Sequence, residues 1–491
     1  MQPNYIAADR PFDAPSTCFV VANALDAGEC SGVVAAATAR GFDAMGADYP
    51  PSYRDNDRMV LTAPDLAAAL FARLAQVLPS ELVDAEGSRH RLVGLNERFR
   101  LCRYAGGQSF RIHQDGAHAP RPGVRSRLTV QVYLDDGFRG GRTRFYRGRR
   151  GDSLGAVTPR AGTAIVFDHD LWHDGEAVTD GTKHVMRTDV LYERTDDDAR
   201  APDHDVLRGH EGYVFVVRAT ADGSLVSGSR DRTLRTWTRS RDDDAWTCTL
   251  VRHGHDASVL SLAELSCGTL LSGSRDRTVR RWSQRGEESA VLARLGGAVL
   301  SLARVGADLV ACGTSDGRIT ILGADGRVDR ELAGHTGWVW SLAALPGGRL
   351  VSASDEGTIR IWDVARGECL AAASPDRGAA HAVAVLTNGD IAAAFADGFV
   401  VRYDASDSRR LAAIGIHHAG EGELYAIHPT EDGGFATGGE ETCARVHRGR
   451  GSAWDAIESV RCDGFVRSIC EVPGTQRLAV AGYDGAIRLS S

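Results

Sequence analysis

A repeat of about 40 residues in the second half of the chain constrains the fold most strongly. Seven segments share an apolar strand, small residues, an acidic turn and a second strand, and they begin at Leu225, Leu270, Val310, Leu350, Ile391, Phe435 and Leu478. The seventh residue of each segment is acidic, and these acidic residues are separated by 45, 40, 40, 41, 44 and 43 positions. Because such short strands cannot bury a face alone, the units must stack on one another. The repeat therefore predicts an array of small β-sheets.

Residues within the repeat resemble those of WD-repeat β-propellers. Gly-His pairs precede three of the units, at 209–210, 254–255 and 334–335. In that family the turn Asp, the histidine and a later tryptophan form a buried hydrogen-bonded network, a pattern that fits Asp231, His210 and Trp237, and also Asp276, His255 and Trp282. Later units depart from the pattern, with Leu322, Tyr403 and His447 in the tryptophan position. The resemblance implies a seven-bladed propeller over residues 205–491.

The last repeat lacks one strand. It ends at Ser491, whereas Asp205–Arg208 lie just before the first Gly-His pair. We expect residues 205–208 to supply that strand and to close the ring.

Residues 1–195 are predicted to form a separate domain. Residues 196–204 are acidic, contain a proline and lack an apolar period, so we interpret them as a linker. Helix-like runs occur at 24–40 and 63–78, and short alternating strands with Gly-rich turns follow over about 96–195. The pattern predicts a mainly β chain whose first domain is a double-stranded β-helix (jelly roll) with flanking helices.

Composition and charge exclude several classes of protein. The chain is 43% hydrophobic with a net charge of −8, which excludes a disordered chain and gives no support to a nucleic-acid or membrane-surface binder. Ten cysteines without a C-x-x-C pair indicate reduced thiols. Neither a signal peptide nor a membrane span is expected, so we predict a cytoplasmic protein. Of 57 basic residues, only Lys183 is a lysine.

A metal site is suggested by His113-Gln114-Asp115. Residues i and i+2 of an extended chain point to one face, so His113 and Asp115 can bind one cation. A second histidine from another strand would complete the two-histidine, one-carboxylate set of non-haem Fe(II) oxygenases. His169, His173 and His184 are the candidates that follow.

Three motifs, in order over about residues 96–192, resemble the catalytic domain of prolyl 4-hydroxylase-type 2-oxoglutarate/Fe(II) dioxygenases. They are NERFRLCRYAGGQSFRIHQD, V-Y-L-D-D-x-x-x-G-G-x-T-x-F and F-x-x-x-x-x-H-x-G-x-x-V-x-x-G-x-K. The resemblance implies that His173 is the third metal ligand. His169 is then expected at the surface or hydrogen-bonded, and His184 on the strand face opposite Lys183.

The resemblance also implies contacts to 2-oxoglutarate. Lys183, ten positions after His173, is the predicted anchor of the far carboxylate, with Arg187 as its rival. Hydroxyl groups at the positions of Tyr104, Thr129 and Tyr133 hydrogen-bond 2-oxoglutarate in similar enzymes, although Tyr133 also fits a core aromatic. Ascorbate is a candidate reductant.

The predicted function is that of an oxidoreductase which hydroxylates a C–H bond, using Fe(II), O2 and 2-oxoglutarate. We expect a protein or peptide substrate recruited by the propeller, with a proline side chain as one candidate. Two alternatives stay open: a small-molecule hydroxylase whose propeller serves assembly, and an inactive oxygenase-like domain on an interaction scaffold. Six arginines within 139–150 fit a solvated loop or a rim that favours an acidic substrate.

Overall fold

The protein is mainly β and separates into two compact units, Met1–Ala201 and Pro202–Ser491. The structure is a computed structural model that describes residues 8–14, 16–44, 56–83, 89–116, 123–148, 152–195, 206–240, 245–283, 289–306, 308–407, 409–450, 453–462 and 464–490. The predicted linker 196–204 lies outside these described residues.

The first unit contains two helices and sixteen strands among its described residues. The helices are α1 (Ala27–Arg40) and α2 (Pro64–Leu74). The strands are β1 (Ala8–Asp9), β2 (Cys18–Val21), β3 (Asp43–Ala44), β4 (Asp57–Thr62), β5 (Glu81–Val83), β6 (Arg89–Leu95), β7 (Arg98–Ala105), β8 (Phe110–His113), β9 (Val124–Tyr133), β10 (Arg139–Gly140), β11 (Thr143–Tyr146), β12 (Ser153–Val157), β13 (Ala164–Asp168), β14 (Trp172–Gly175), β15 (Val178–Asp180) and β16 (Thr182–Arg194).

Both helices start at clear sequence signals. Asp26 caps α1 by accepting a hydrogen bond from the Glu29 amide, and the Glu29 side chain accepts one from the Asp26 amide. Pro64 stands at the start of α2, where its missing N–H costs no helical hydrogen bond. Arg73 in α2 donates two hydrogen bonds of 2.7 Å to Glu29, which ties the helices together. The helices match the predicted runs but are a few residues shorter.

The largest sheet of the first unit is antiparallel and has the strand order β1-β2-β13-β9-β16-β7-β4-β3, and β6 pairs with β16. One face packs against the helices through apolar residues such as Leu70, Leu74, Val130 and Met186. A second sheet, β12-β11-β14-β8, contributes Phe110, Phe145 and Val157 to a cluster shared with the other face. Side chains of this second cluster surround the candidate site.

The second unit consists of seven four-stranded antiparallel sheets among its described residues. Six of these sheets each consist of four consecutive strands. The first three contain β18 (Val214–Ala219), β19 (Leu225–Ser229), β20 (Leu234–Arg239) and β21 (Trp246–Arg252); β22 (Val259–Glu264), β23 (Leu270–Ser274), β24 (Thr278–Trp282) and β25 (Ser289–Arg294); and β26 (Val299–Val305), β27 (Leu309–Thr314), β28 (Ile319–Gly323) and β29 (Val328–Leu332). The next three contain β30 (Val339–Leu345), β31 (Arg349–Ser354), β32 (Ile359–Asp363) and β33 (Glu368–Ala373); β34 (Ala380–Val385), β35 (Ile391–Phe395), β36 (Phe399–Asp404) and β37 (Ala412–His418); and β38 (Leu424–Pro429), β39 (Phe435–Gly439), β40 (Cys443–Arg450) and β41 (Ala453–Arg461).

The remaining sheet joins the two ends of this unit. It contains β17 (Val206–Leu207), β42 (Val466–Glu471), β43 (Leu478–Gly482) and β44 (Ile487–Leu489). Val206 lies opposite Arg488 and Leu207 opposite Ile487, so residues before the first repeat supply the strand that the last repeat lacks. The predicted pairing of residues 205–208 is therefore observed for Val206 and Leu207.

Buried polar networks occur where the repeat pattern is complete. His255 bonds to Asp276 at 2.7 Å and to Ser272 at 2.7 Å, and the Trp282 indole donates to Ser272 at 2.7 Å. Equivalent networks contain Ser227 and Ser352. The sequence analysis named the acid, the histidine and the tryptophan, but it missed the serine that joins them.

Two features bear on the protein's surroundings. No described helix is long and apolar enough to cross a membrane. None of the ten cysteines forms a disulfide, and six of them are buried: Cys18, Cys30, Cys102, Cys312, Cys462 and Cys470.

Candidate metal centre

The pairing of two short strands brings the predicted ligands together. His113 is the last residue of β8, and it lies directly opposite His173 on β14. Asp115 follows His113 by two residues, just beyond the strand end. One ligand atom from each of His113, Asp115 and His173 lies within 4.8 Å of the others, which is a separation that a single metal ion can bridge.

The two imidazoles are oriented by backbone carbonyls. His113 Nδ1 lies 2.7 Å from the Arg111 oxygen, and His173 Nδ1 lies 2.9 Å from the Leu171 oxygen. Their Nε2 atoms instead face Asp115, at 3.7 Å from Oδ1 and Oδ2 respectively. Both Nε2 atoms are buried and have no hydrogen-bond partner among the described residues. Buried unpaired acceptors beside a carboxylate fit a divalent cation, because such an ion would satisfy all three groups.

Burial sets the charge of these groups. It lowers the pKa of His173 to about 3 and also lowers the pKa of His113, so both rings are neutral and able to bind metal. Burial alone would raise the pKa of Asp115, but the positive charge of Arg187 holds it well below its usual value. The site is thus two neutral imidazoles and one carboxylate.

Aromatic side chains enclose the histidines. The Phe110 ring stacks on His113 with centroids 3.7 Å apart, and Phe167 meets His173 edge-on at 4.6 Å. Phe145, which lies opposite His173 on β11, is 5.9 Å away. These contacts fix the ring positions and keep water from their sides.

One carboxylate oxygen of Asp115, Oδ2, accepts two hydrogen bonds. Thr129 on β9 donates to Oδ2 at 2.6 Å, and the Arg187 guanidinium on β16 donates to the same atom. Contacts of both residues with 2-oxoglutarate stay a prediction, and in this structure both contact the carboxylate of Asp115. These contacts form because Asp115 follows the strand end and meets the large sheet, a contact that local sequence does not reveal.

Lys183 is a buried cation of the same domain. It lies opposite Tyr104 on β7, is 4% exposed, and donates to the Gly141 carbonyl at 2.5 Å. Its ammonium is 5.4 Å from the Tyr104 ring centroid and 5.6 Å from that of Tyr133. Burial lowers the pKa of Lys183 to about 8. No carboxylate among the described residues forms an ion pair with this ammonium, so a buried positive charge is left without a counter-ion.

Gln131 and Thr143, which form hydrogen bonds beside Tyr133, were not predicted from the sequence. The Tyr133 hydroxyl donates to Thr143 at 2.7 Å, and Gln131 donates to the same oxygen at 3.0 Å. Gly141 has φ 67°, and a Cβ there would lie 3.0 Å from Lys183 Cδ. The G-G-x-T motif, which contains Gly141 and Thr143, was the available signal.

Neither rival histidine joins the three ligands. His184 bonds to Asp135 at 2.5 Å, outside the metal group. His169 is 5% exposed, and neither ring nitrogen has a hydrogen-bond partner among the described residues, so the expectation of a surface or hydrogen-bonded residue was wrong. His169 is buried because it follows β13 directly, where its backbone amide donates to Arg127 and its carbonyl accepts from Asp115.

The part of the chain that carries these residues matches the sequence model of a known family. A model of the 2OG-Fe(II) oxygenase superfamily matches residues 99–188, which include every ligand candidate and Lys183. The WD domain, G-beta repeat model matches residues 204–238, 246–283 and 326–363. This chain joins a 2OG-Fe(II) oxygenase domain to WD40 repeats. The oxygenase match begins inside β7 and ends inside β16, so it covers the strands that carry the site.

Individual relatives resemble parts of the chain. Nuclear distribution protein PAC1-2 of Uncinocarpus reesii is 33% identical over 163 residues, which are 33% of this chain and 31% of that protein. Ubiquitin homeostasis protein lub1 of Schizosaccharomyces pombe is 35% identical over 103 residues, 21% of this chain and 14% of that protein. The chain therefore spans less than a third of either relative.

A solved structure supports the fold of the repeats. The WD40 β-propeller domain of Doa1 is 22% identical, with a TM-score of 0.51, and the match covers 58% of this chain and 95% of that domain. At this identity the likeness shows the fold alone.

Proposed function

We propose that the protein is an active 2-oxoglutarate- and Fe(II)-dependent dioxygenase of the prolyl 4-hydroxylase type. The observation that carries the proposal is the convergence of His113, Asp115 and His173, with both imidazole Nε2 atoms buried and unpaired, inside the oxygenase domain. Two nitrogens and one carboxylate oxygen suit Fe(II) and leave coordination positions open. When bound, Fe(II) supplies the redox chemistry by which 2-oxoglutarate and O2 give succinate and CO2 and one oxygen atom enters a substrate C–H bond.

The residues of the chain have distinct parts in this proposal. Lys183 binds the far carboxylate of 2-oxoglutarate. This carboxylate is then the counter-ion of the buried ammonium, which otherwise donates to the Gly141 carbonyl. Tyr104 and Tyr133 lie beside the same ammonium. Lys183 is favoured over Arg187 as the anchor because the Arg187 guanidinium is already engaged by Asp115. Ascorbate is the proposed reductant that maintains Fe(II).

The proposed architecture follows from the sheets. We interpret the two facing sheets of the first unit as a double-stranded β-helix covering about residues 96–195. We interpret the seven four-stranded sheets as the blades of one ring over 205–491, closed by the pairing of β17 with β44. Ten cysteines that form no disulfide fit a reducing compartment, for which we propose the cytoplasm.

Turnover of 2-oxoglutarate tests the activity. Full-length protein with Fe(II), O2 and 2-oxoglutarate should release succinate, and His173→Ala should abolish this release because one ligand is lost. His184→Ala is the matched control, since His184 is also a β-sheet histidine of the same domain but pairs with Asp135. Absence of succinate from the metal-loaded wild type would contradict the proposal and favour the inactive scaffold.

A protein substrate is favoured by an aromatic surface on the WD40 repeats. Five partly exposed aromatic residues lie at or next to the ends of β18, β30, β38 and β43. We call them the aromatic rim: Tyr213, Phe215, Trp340, Tyr425 and Tyr483. Tyr213 stacks on Tyr483 at 4.5 Å, and Arg467 lies over both Trp340 and Tyr425, at 5.4 and 5.5 Å. Exposed aromatic clusters with arginine are typical of protein-binding surfaces.

Variants of this surface separate the two substrate classes. The double substitution Trp340→Ala and Tyr425→Ala should preserve succinate release without substrate, because these residues belong to the second unit. It should abolish the oxygen-atom mass increase on cellular proteins, including candidate proline side chains, that mass spectrometry detects with wild-type protein. Undiminished protein hydroxylation would contradict recruitment by the aromatic rim.

A further inference from the structure

We propose that Arg187 and Thr129 are positioning residues that hold one oxygen of Asp115, so that only the other oxygen is available to the metal. The inference rests on the proposed function, because it assigns Asp115 as a ligand of the metal. It goes beyond that function by identifying what determines how Asp115 binds.

The contacts on Asp115 are unequal. Oδ2 accepts hydrogen bonds from Thr129 at 2.6 Å and from Arg187 Nη2. Two donors use the two lone pairs that a carboxylate oxygen presents in its plane. Oδ1 lies 3.7 Å from the unpaired Nε2 of His113, and Oδ2 lies at the same distance from the unpaired Nε2 of His173. The two oxygens differ in their donors, because Oδ2 is the one that accepts the hydrogen bonds of Thr129 and Arg187.

Arg187 is directed to Asp115 by the pairing of its neighbours. Asp189, two residues along the same strand face, is already bonded by Arg100 at 3.1 Å and by Asn96 at 3.0 Å. Gln131, which lies opposite Arg187 on β9, donates to Thr143. The Arg187 side chain is 10% exposed, so water contributes little. Asp115 is thus the partner that remains for this buried guanidinium.

This arrangement has a chemical consequence for the site. A carboxylate that binds through one oxygen takes one coordination position, and with two imidazoles it leaves three positions for a chelating keto acid and O2. A carboxylate that turns and binds through both oxygens takes one of those positions. The planar guanidinium and the short hydroxyl resist this rotation because both are fixed on paired strands.

Cobalt(II) spectroscopy tests the proposal without turnover. We would load full-length wild type, Arg187→Gln and Thr129→Val with Co(II) in the absence of 2-oxoglutarate and record the ligand-field absorption. Both variants should show ligand-field bands that are shifted from those of the wild type, because a second carboxylate oxygen replaces another ligand, and 2-oxoglutarate should then bind about tenfold or more weakly, as for other residues that orient a metal ligand. Thr129→Ser should restore the wild-type spectrum because it keeps the hydroxyl.

Controls separate the competing roles. Arg103 lies on β7, on the sheet face opposite to Arg187, and forms an ion pair with Asp57. Arg103→Gln removes this ion pair and should leave the Co(II) spectrum unchanged. If Arg187→Gln retains the wild-type Co(II) spectrum and only 2-oxoglutarate affinity falls, Arg187 is an anchor and the proposal is overturned. Should Arg187→Gln fail to fold, Thr129→Val decides, and its wild-type spectrum would likewise overturn the proposal. A wild type that binds Co(II) but not 2-oxoglutarate contradicts the oxygenase proposal alone, since the spectral comparison still stands.

Discussion

At the scale of single residues, the one lysine among 57 basic residues is the buried residue that we propose as the anchor of 2-oxoglutarate. Lys183→Arg should weaken 2-oxoglutarate binding by about tenfold or more, because a planar guanidinium on a different stem does not reproduce the position of a compact ammonium that is buried beside Tyr104 and Tyr133. Calorimetric titration of Zn(II)-loaded protein measures this affinity. Arg103→Lys, at a partly exposed ion pair, serves as the control, and equal affinities for Lys183→Arg and wild type would refute the assignment.

The lowered pKa of Lys183 predicts a pH dependence. Burial brings this pKa to about 8, so the ammonium loses its proton as the pH rises above 8, and the far carboxylate of 2-oxoglutarate loses its counter-ion. The dissociation constant of 2-oxoglutarate should therefore increase between pH 7.5 and pH 9. Lys183→Gln should show weak binding that does not change over this range. A flat profile for the wild type would contradict the role of the ammonium.

Residue types and spacing predicted the candidate ligands but not their surroundings. His113 and Asp115 could be paired from their separation alone, and His173 followed from a motif. The contacts of Thr129 and Arg187 with Asp115 depend on the register of β9 and β16, and Arg187 is 72 positions from Asp115 in sequence. Burial of His169 was missed for the same reason, because long-range packing determines it.

At the scale of elements, the serine of each complete repeat links two other buried groups. Ser272→Ala would leave the Trp282 indole and one nitrogen of His255 without a partner, and should destabilise its sheet by about 1–3 kcal/mol. Urea denaturation followed by tryptophan fluorescence measures the change. Thr247→Ala, on an exposed position of the neighbouring sheet, should shift the transition by less than about 0.5 kcal/mol. Equal shifts would contradict a structural role for the network.

Incomplete repeats show how far the pattern alone can be taken. The period located every sheet, because strand length and turn residues repeat in all seven units. The residues that replace tryptophan have different surroundings. His447 hydrogen-bonds to Thr437 at 2.7 Å and to His417 at 2.9 Å, whereas the Tyr403 hydroxyl has no partner among the described residues. Whether a replacing side chain finds a partner depends on packing between sheets, and the repeat period does not predict that packing.

At the scale of the whole molecule, the second unit depends on the short strand β17. Leu207 is 4% exposed and packs with Leu225, Trp237 and Leu489. Leu207→Ala should lower the free energy of unfolding by about 2–3 kcal/mol, because it leaves a cavity at the joint between first and last strands. Thermal denaturation measures the effect, and Val328→Ala, at a residue 55% exposed, is the control. An unchanged melting temperature for Leu207→Ala would show that β17 contributes little.

The same pairing also orders events during synthesis on the ribosome. β17 is translated immediately after the oxygenase domain, but its partner β44 follows about 280 residues later. At roughly 5–20 residues per second, the edge of β17 waits on the order of 15–60 s for that partner. The oxygenase domain thus emerges well before the repeats can close. During that interval an unpaired strand edge is exposed to other nascent chains, so chaperones should act on the WD40 unit rather than on the oxygenase domain.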